Sequence, residues 1–437
     1  MAESDPPRLV ALRYRDYRLL WAGLLVSITG SQMQLIAVNW HIFTLLEGQT
    51  LTLELFGRSV SLGAEALGLG SLGLVRIVPI ILFALLGGML ADTFDRRRLL
   101  ILTQAAAALF AASLAAFSLA GSATLGLIYL LTAADSAANA LSNPSRQSLV
   151  PNLVATEHLT NALSLSNVGW QLGTVIGPAI AGLLVGRFDV GVVYAVNALS
   201  FAAVIVALWL MRYRPAARGP ASGLGWRALV EGLRFTFSTR IILGTMLLDF
   251  FATLFSSART MLPLIASDVL GLGARGYGLL ATAEPAGAVL TGAILSLRRD
   301  IRHQGRVLLL AVAVYGLATA LFGISSQFGL SYMLYGLVGA GDTVSTVIRN
   351  TLRQLNTPDR LRGRMTGVNM IFFMGGPQLG ELEAGLVASA FGVPFAIFSG
   401  GILTVLMTLW VAWRFPRLRR YVNPTSVKNA QTVPLTS

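Results

Sequence analysis

The chain has 437 residues, of which 54% are hydrophobic and only 12% charged, with a mean hydropathy of +0.68. A soluble domain carries about 25% charged residues, so half that amount leaves too little charge to cover a water-exposed surface, and lipid must cover much of it. The formal charge of +13 does not point to nucleic acid, because the basic residues sit in short loops between apolar runs and not on one clustered face; the absence of cysteine excludes disulfides, thiol nucleophiles and thiolate metal sites.

The N-terminal arm, 1–18, leads through Arg8, Arg13, Arg15 and Arg18 into an apolar run. That run is long enough to span a bilayer and lacks a clear cleavage site, which predicts an uncleaved first helix and not a signal peptide. Apolar stretches of spanning length then predict twelve helices, at 19–45, 69–91, 98–120, 124–145, 163–186, 189–211, 241–267, 275–297, 305–324, 329–350, 365–390 and 393–414. Gly and Pro fall inside several, as membrane helices tolerate. One such run also suits a buried helix of a soluble protein, but twelve in series with polar loops do not.

Alternate loops carry the arginines: Arg96, Arg97 and Arg98 after span two, Arg212 to Arg240 in the middle, Arg298 to Arg306 after span eight, Arg353 to Arg364 after span ten, and Arg417, Arg419 and Arg420 beyond span twelve. The intervening loops are nearly free of Arg, and the first is acidic, with Glu47 and Glu54. Positive loops stay cytoplasmic, so both termini are expected inside. The fold class expected is all-α: a six-helix bundle at 19–211, a cytoplasmic linker at 212–240, a second bundle at 241–414, and a tail at 415–437. The second part of the linker places Trp226, Leu229, Val230, Leu233 and Phe237 at helical spacing. That face suits either the membrane surface or the underside of the bundle.

Polar residues interrupt the spans at few places. Span one offers Gln32, Gln34, Asn39 and Trp40 for hydrogen bonding and stacking. Arg76 in span two either attracts an anionic substrate or supports the structure by pairing with an acid such as Glu65; we favour support. Asp135, Asn139, Asn143 and Arg146 share one face of span four, and Asp342, Thr346, Arg349 and Arg353 share one face of span ten. Ionisable groups at such depth usually face a cavity or a partner, so each stripe is either a hydrated pathway or a buried network fixing helix register. Glu284 in span eight and Glu381 and Glu383 in span eleven are the other deep acids. Glu381 and Glu383 project from nearly opposite sides of one helix, so one of them meets a neighbouring helix. Phe43, Phe250, Phe251, Phe255, Phe372 and Phe373 are candidates for an apolar pocket or for lipid and core contacts. His41, His158 and His303 lie far apart, with no ligand spacing.

An internal repeat orders these features. Asp135, Arg146, Gln147 and Pro151 recur at identical spacing as Asp342, Arg353, Gln354 and Pro358. Gly177 and Gly182 then pair with Gly380 and Gly385, and Trp209 pairs with Trp410. Two parallel six-helix halves about a central site form a transporter architecture.

The segment Gly88-Met-Leu-Ala-Asp92-Thr-Phe-Asp95-Arg96-Arg97-Arg98 resembles the signature loop of the major facilitator superfamily. In that family the loop latches onto the other half of the protein; here Gly88, Asp92, Asp95, Arg96, Arg97 and, as partner, Arg364 are the latch residues implied. The alternative is a loop that only holds positive charge inside. Span five carries Gly173, Gly177, Pro178 and Gly182, which looks like the glycine-proline motif of the superfamily's proton-coupled exporters, with Ala181 replacing the first glycine of a pair. Small residues at this spacing also serve plain helix packing. Asn143 to Pro151 and Thr357 to Arg364 resemble the enterobactin-exporter and macrolide-efflux branch.

The resemblance implies a monomeric inner-membrane exporter of an organic small molecule such as a siderophore or drug, driven by proton entry, with the lipid bilayer, the substrate and protons as its partners. Low dielectric favours the neutral form of a carboxyl group, as proton coupling requires. Asp342 and Glu381 lead as coupling residues, with Asp135 and Glu284 behind, and Gln32, Gln34, Asn39, Asn139 and Arg349 are the polar cavity candidates. Neither cofactor nor metal is expected. Uptake of a small metabolite is the alternative within transport. A membrane enzyme needs a clustered nucleophile and base or metal-spaced ligands, and a sensor needs a sizeable soluble domain; neither is visible. No Walker-type phosphate loop is present, which argues against direct use of ATP.

Overall fold

The computed structural model describes residues 9–55, 58–213, 226–297, 301–358 and 361–422. Long helices follow one another in chain order: α1 (Arg15–Leu46), α2 (Ala64–Thr93), α3 (Arg96–Leu119), α4 (Leu125–Leu149), α5 (Leu159–Val185) and α6 (Val190–Leu210). A shorter α7 (Trp226–Ser238) leads to α8 (Arg240–Phe255), α9 (Leu262–Leu264), α10 (Ala274–Ala281) and α11 (Ala283–Leu297). Then come α12 (Gln304–Ile324), α13 (Phe328–Leu355), α14 (Arg362–Phe391), α15 (Val393–Arg414) and the single turn α16 (Pro416–Arg419). Their ends fall within about five residues of the sequence-based spans except in two places: the expected span 241–267 is broken after Phe255, where α8 gives way to short turns around Pro263, and the expected span 275–297 is divided at Thr282 into α10 and α11.

Among the described residues, nine helical segments are long and apolar enough to cross a membrane. Three further helices, α4, α13 and α14, run 25, 28 and 30 residues. At 1.5 Å per residue they are about 37, 42 and 45 Å long, beyond the roughly 30 Å of a hydrocarbon core. Length does not set these three apart. They carry Asp135, Asp342, Glu381 and Glu383, and that polarity lowers their mean hydropathy.

The all-α expectation needs one correction. An antiparallel hairpin, β1 (Thr50–Leu55) with β2 (Arg58–Gly63), follows α1, pairing Thr50 with Gly63 and Leu55 with Arg58. Its sequence, Thr-Leu-Thr-Leu-Glu-Leu, alternates with the period of a strand.

The chain divides into two compact units. The first gathers the described parts of Met1–Glu47, Leu74–Gly223 and Leu272–Thr282; the second gathers those of Gly48–Gly73, Leu224–Gly271 and Ala283–Ser437. The core of the first packs Tyr17 and Leu20 of α1 with Leu100 of α3, Leu149 of α4 and Val204 and Leu208 of α6. In the second, Leu248 of α8, Leu308 and Val312 of α12, Ile348 and Leu352 of α13 and Val411 of α15 do the same. Both cores draw on the expected first, third, fourth and sixth spans, as the repeat would have it, and that of the first unit adds Ala162 of α5. Exposed residues such as Trp209, Leu199, Leu297 and Trp413 are large and apolar, as a lipid-facing surface requires.

Local sequence explains several joints. Asp95 caps α3, accepting hydrogen bonds from the Arg97 and Arg98 amides at 2.9 and 3.3 Å. Gly392 takes φ 87° between α14 and α15, a conformation that favours glycine. Helix α7 forms where the spacing predicts it. Leu233 packs against Ile242, Met246, Met365 and Val368, whereas Val230 and Phe237 stay exposed, so the apolar face divides between bundle and surroundings.

Arg8, Arg214, Arg218, Arg298, Arg299, Arg360 and residues 423–437 of the tail lie outside the described residues. So do the packing at Gly88 and the side chains of Glu54, Asp92, Trp226, Arg227, Leu229 and Arg362.

Candidate functional site

The polar stripe of α4 is built by local hydrogen bonds along one helix face. The Asn139 side-chain amide donates to Asp135 Oδ2 at 3.2 Å, and Arg146 donates to Asn143 Oδ1 at 3.2 Å. Asp135 Oδ1 is buried without a hydrogen-bond partner among the described residues. Arg76 of α2 supplies a cation whose field acts on Asp135, and it donates to Asn39 Oδ1 of α1 at 3.5 Å. Arg76 thus holds a polar group of α1 while its charge reaches the acid of α4. Glu65, the acid first suggested for it, accepts the Gly48 amide at 2.7 Å.

The stripe of α13 repeats the local pattern. Thr346 donates to Asp342 Oδ1 at 3.5 Å, as Asn139 does to Asp135. Arg353 donates to Asn350 Oδ1, as Arg146 does to Asn143. What differs is Arg349, which occupies the repeat position of Ser142. Its guanidinium forms an ion pair with Asp249 of α8, donates to Thr346 Oγ1 at 2.7 Å, and lies 3.5 Å from Asp342 Oδ1. The side chains of Arg349 and Asp249 are 3% and 4% exposed, whereas that of Asp342 is 48% exposed. The sequence reading missed Asp249. Its signal was there, a single acid inside the apolar run Leu-Leu-Asp-Phe-Phe.

Glu284 is already engaged. Tyr335 of α13 donates to its Oε2 at 2.7 Å, and Arg259 Nε lies 3.9 Å from the same oxygen. Glu381 is 4% exposed; a Cβ added at Gly73 of α2 would stand 3.1 Å from its own Cβ. This deep acid of α14 therefore meets a neighbouring helix, α2. Glu383 is half-buried.

Of the other polar candidates, Gln34 is buried and accepts from Asn197 of α6 at 2.8 Å. Asn39 is buried, Gln32 is half-buried and Asn139 is exposed. Trp40 stacks on Tyr277 of α10 with ring centroids 5.7 Å apart, and tilts against Phe43. Phe250 meets Phe251 and Phe372 edge-on.

The span-five glycines all lie at close helix contacts. A Cβ at Gly173 would stand 2.6 Å from Ile28 Cγ2, and one at Gly177 2.6 Å from Gln32 Cβ, both on α1. At Gly182 it would stand 2.6 Å from the Gly278 Cα of α10. The counterparts behave alike: Gly380 abuts the Thr253 and Leu254 carbonyls of α8, and Gly385 abuts Gly70 of α2. Glu381 stands at the repeat position of Pro178.

Of the described latch residues, Asp95 serves as the α3 cap described above, and Arg97 donates to the Trp209 carbonyl at the end of α6 at 3.0 Å. Arg364 forms an ion pair with Glu231 of α7, a partner the sequence reading did not name.

The model of a family described as transmembrane secretion effector matches residues 8–432. The enterobactin exporter EntS of Escherichia coli O1:K1 is 29% identical over 333 residues, which are 74% of this chain and 79% of that protein. EntS of Shigella boydii serotype 4 is 28% identical over 402 residues, 90% and 91% of the two chains. Among solved structures, a point mutant of the nucleoside transporter NupG aligns with a TM-score of 0.71 at 12% identity, covering 92% of this chain and all of that one. A bacterial homolog of the human lysosomal transporter Spinster, inward-facing and unoccupied, aligns at 0.70 and 15% identity, covering 94% and 99%.

Proposed function

Because the chain belongs to the transmembrane secretion effector family of major facilitator transporters, we propose that it exports an organic small molecule by proton antiport. The transporter class, the multi-pass architecture and the bacterial inner-membrane location follow from family membership and the spanning helices; the chain is a transporter and not an enzyme. The rest is our reading: twelve spans, cytoplasmic termini, a monomer, alternating access of two halves, outward direction, and protons as the coupling ion.

One observation carries the coupling reading. Each half places an acid, Asp135 or Asp342, at the same position of a polar stripe on its fourth helix, one with an oxygen lacking a hydrogen-bond partner among the described residues and one with an accessible carboxylate. Intramembrane carboxyls of this kind are costly unless they exchange protons or pair. Asp342 and Glu381 lead, with Asp135 and Glu284 behind; Glu284 ranks low because Tyr335 and Arg259 already engage it. The outward direction is supported by the span-five motif and by relatives that are named enterobactin exporters. A siderophore or another amphipathic metabolite is the substrate class that this likeness suggests.

The latch reading stays with Gly88, Asp92, Asp95, Arg96, Arg97 and Arg364. The Arg364–Glu231 pair makes α7 a second claimant for the same cation.

The test pairs a deletion strain, profiled for retained metabolites and lost resistance, with proton-gradient-driven flux in inverted vesicles. The Asp342→Asn and Glu381→Gln variants are expected to abolish that flux. Normal flux with intact pH dependence in the amide variants of all four acids overturns the coupling assignment. Flux that survives an uncoupler, with no imposed substrate gradient, overturns antiport.

A further inference from the structure

The second half contains two carboxylates beside one guanidinium, and the geometry does not share it equally. Asp249 and Arg349 form a buried ion pair between α8 and α13, and both side chains are nearly sealed from solvent. Asp342 is held more loosely, 3.5 Å from Arg349 and bonded by Thr346 at 3.5 Å, with about half its side chain accessible. Glu284 on α11 and Tyr315 on α12 also act electrostatically on this group, and Arg353 lies one turn further along α13 within reach of Arg349 and Asp249. A buried arginine without a carboxylate partner is strongly unfavourable, so Arg349 must be neutralised by something. If Asp249 were absent, Asp342 would be the nearest acid to do it.

We propose that Asp249 is a positioning residue: by engaging Arg349 it leaves Asp342 as a carboxylate able to exchange a proton. The coupling acid of the second half is therefore specified from a different helix, the first span of that half. This deepens the antiport reading and rests on it only for its role in transport; the charge assignment itself is testable in the purified protein without substrate.

The experiment treats detergent-solubilised full-length protein with dicyclohexylcarbodiimide, which reacts with protonated carboxyl groups in apolar surroundings, and maps the modified residues by mass spectrometry. The wild type is expected to be modified at Asp342 and not at Asp249. In Asp249→Asn, Arg349 turns undivided to Asp342, and modification of Asp342 falls by about tenfold or more, the effect of an opposite charge at this range. Asp249→Glu keeps the pair, and with it the label. The double variant Asp249→Asn with Arg349→Gln removes the guanidinium and restores modification of Asp342. A purely structural role for Asp249 changes yield and thermal stability but leaves the labelling of Asp342 in the folded fraction unchanged, and that result overturns the proposal. Where Asp249→Asn does not fold, the wild type and the double variant decide: label at Asp249 in place of Asp342, or no label at Asp342 in either, overturns it. If the labelling pattern holds while wild-type vesicles show no proton-driven flux, antiport fails and the charge assignment stands.

Discussion

Helices α4 and α13 are two copies of one design with a single consequential difference. Both carry an acid bonded by the residue four positions on, and both carry an arginine bonded to an asparagine three positions before it. At the position between, α4 has Ser142 and α13 has Arg349. In the first unit the cation acting on the acid comes from another helix, as Arg76 of α2. In the second it sits on the same helix and is clamped from α8 by Asp249. Duplication preserved the local hydrogen bonds, which need only helical spacing. It did not preserve the charge balance, which depends on partners supplied by other helices.

Function should separate the copies most sharply. Asp342→Asn is expected to abolish proton-gradient-driven flux in inverted vesicles, whereas Asp135→Asn loses no more than about tenfold, worth roughly 1.4 kcal/mol. Equal loss in both would make the two stripes functionally equivalent and break the comparison.

Stability comes next. Arg349→Gln strands Asp249 in the interior and should cost about 3–5 kcal/mol, with Asp249→Asn in the same chain recovering most of it. Its counterpart Ser142→Ala should stay within about 1 kcal/mol. Thermal unfolding of the purified variants reads the difference.

The glycine pairs should sharpen the comparison by behaving alike. Gly182→Leu and Gly385→Leu each drive a side chain into the backbone of a facing helix, and overpacking of this kind costs about 1–3 kcal/mol. A large effect at Gly182 with none at Gly385 would tie span five to a role beyond packing. The smallest effect belongs to Arg364→Ala. Its pair with Glu231 is partly exposed on both sides and should contribute at most about 1 kcal/mol to unfolding, so any large loss of transport in this variant would speak for the latch and against a merely structural contact.

Much of this was legible in the residues. Most helix ends, the repeat and the α7 helix follow from hydropathy and periodicity, which are local properties; the breaks after Phe255 and at Thr282 do not, because the apolar run continues through both. The hairpin at 50–63 was equally legible as an alternation of Thr and Leu, but an apolar run beside it hides so short a signal. Asp249 was overlooked because one acid in an apolar span has no partner within its own helix to mark it. Glu381 and Glu383 are two apart on α14, and that Glu381 meets a neighbour required seeing Gly73 of α2 beside it.

The sequence by itself determined the membrane class, the positions of the long helices and the duplication, because lipid forces every span to satisfy its own backbone and bury its own apolar length. Tertiary structure alone decided which carboxylate owns Arg349. Asp249 and Arg349 are a hundred residues apart, and only the crossing of α8 with α13 brings them together. A buried charge is set by its nearest opposite charge and not by its place in the chain.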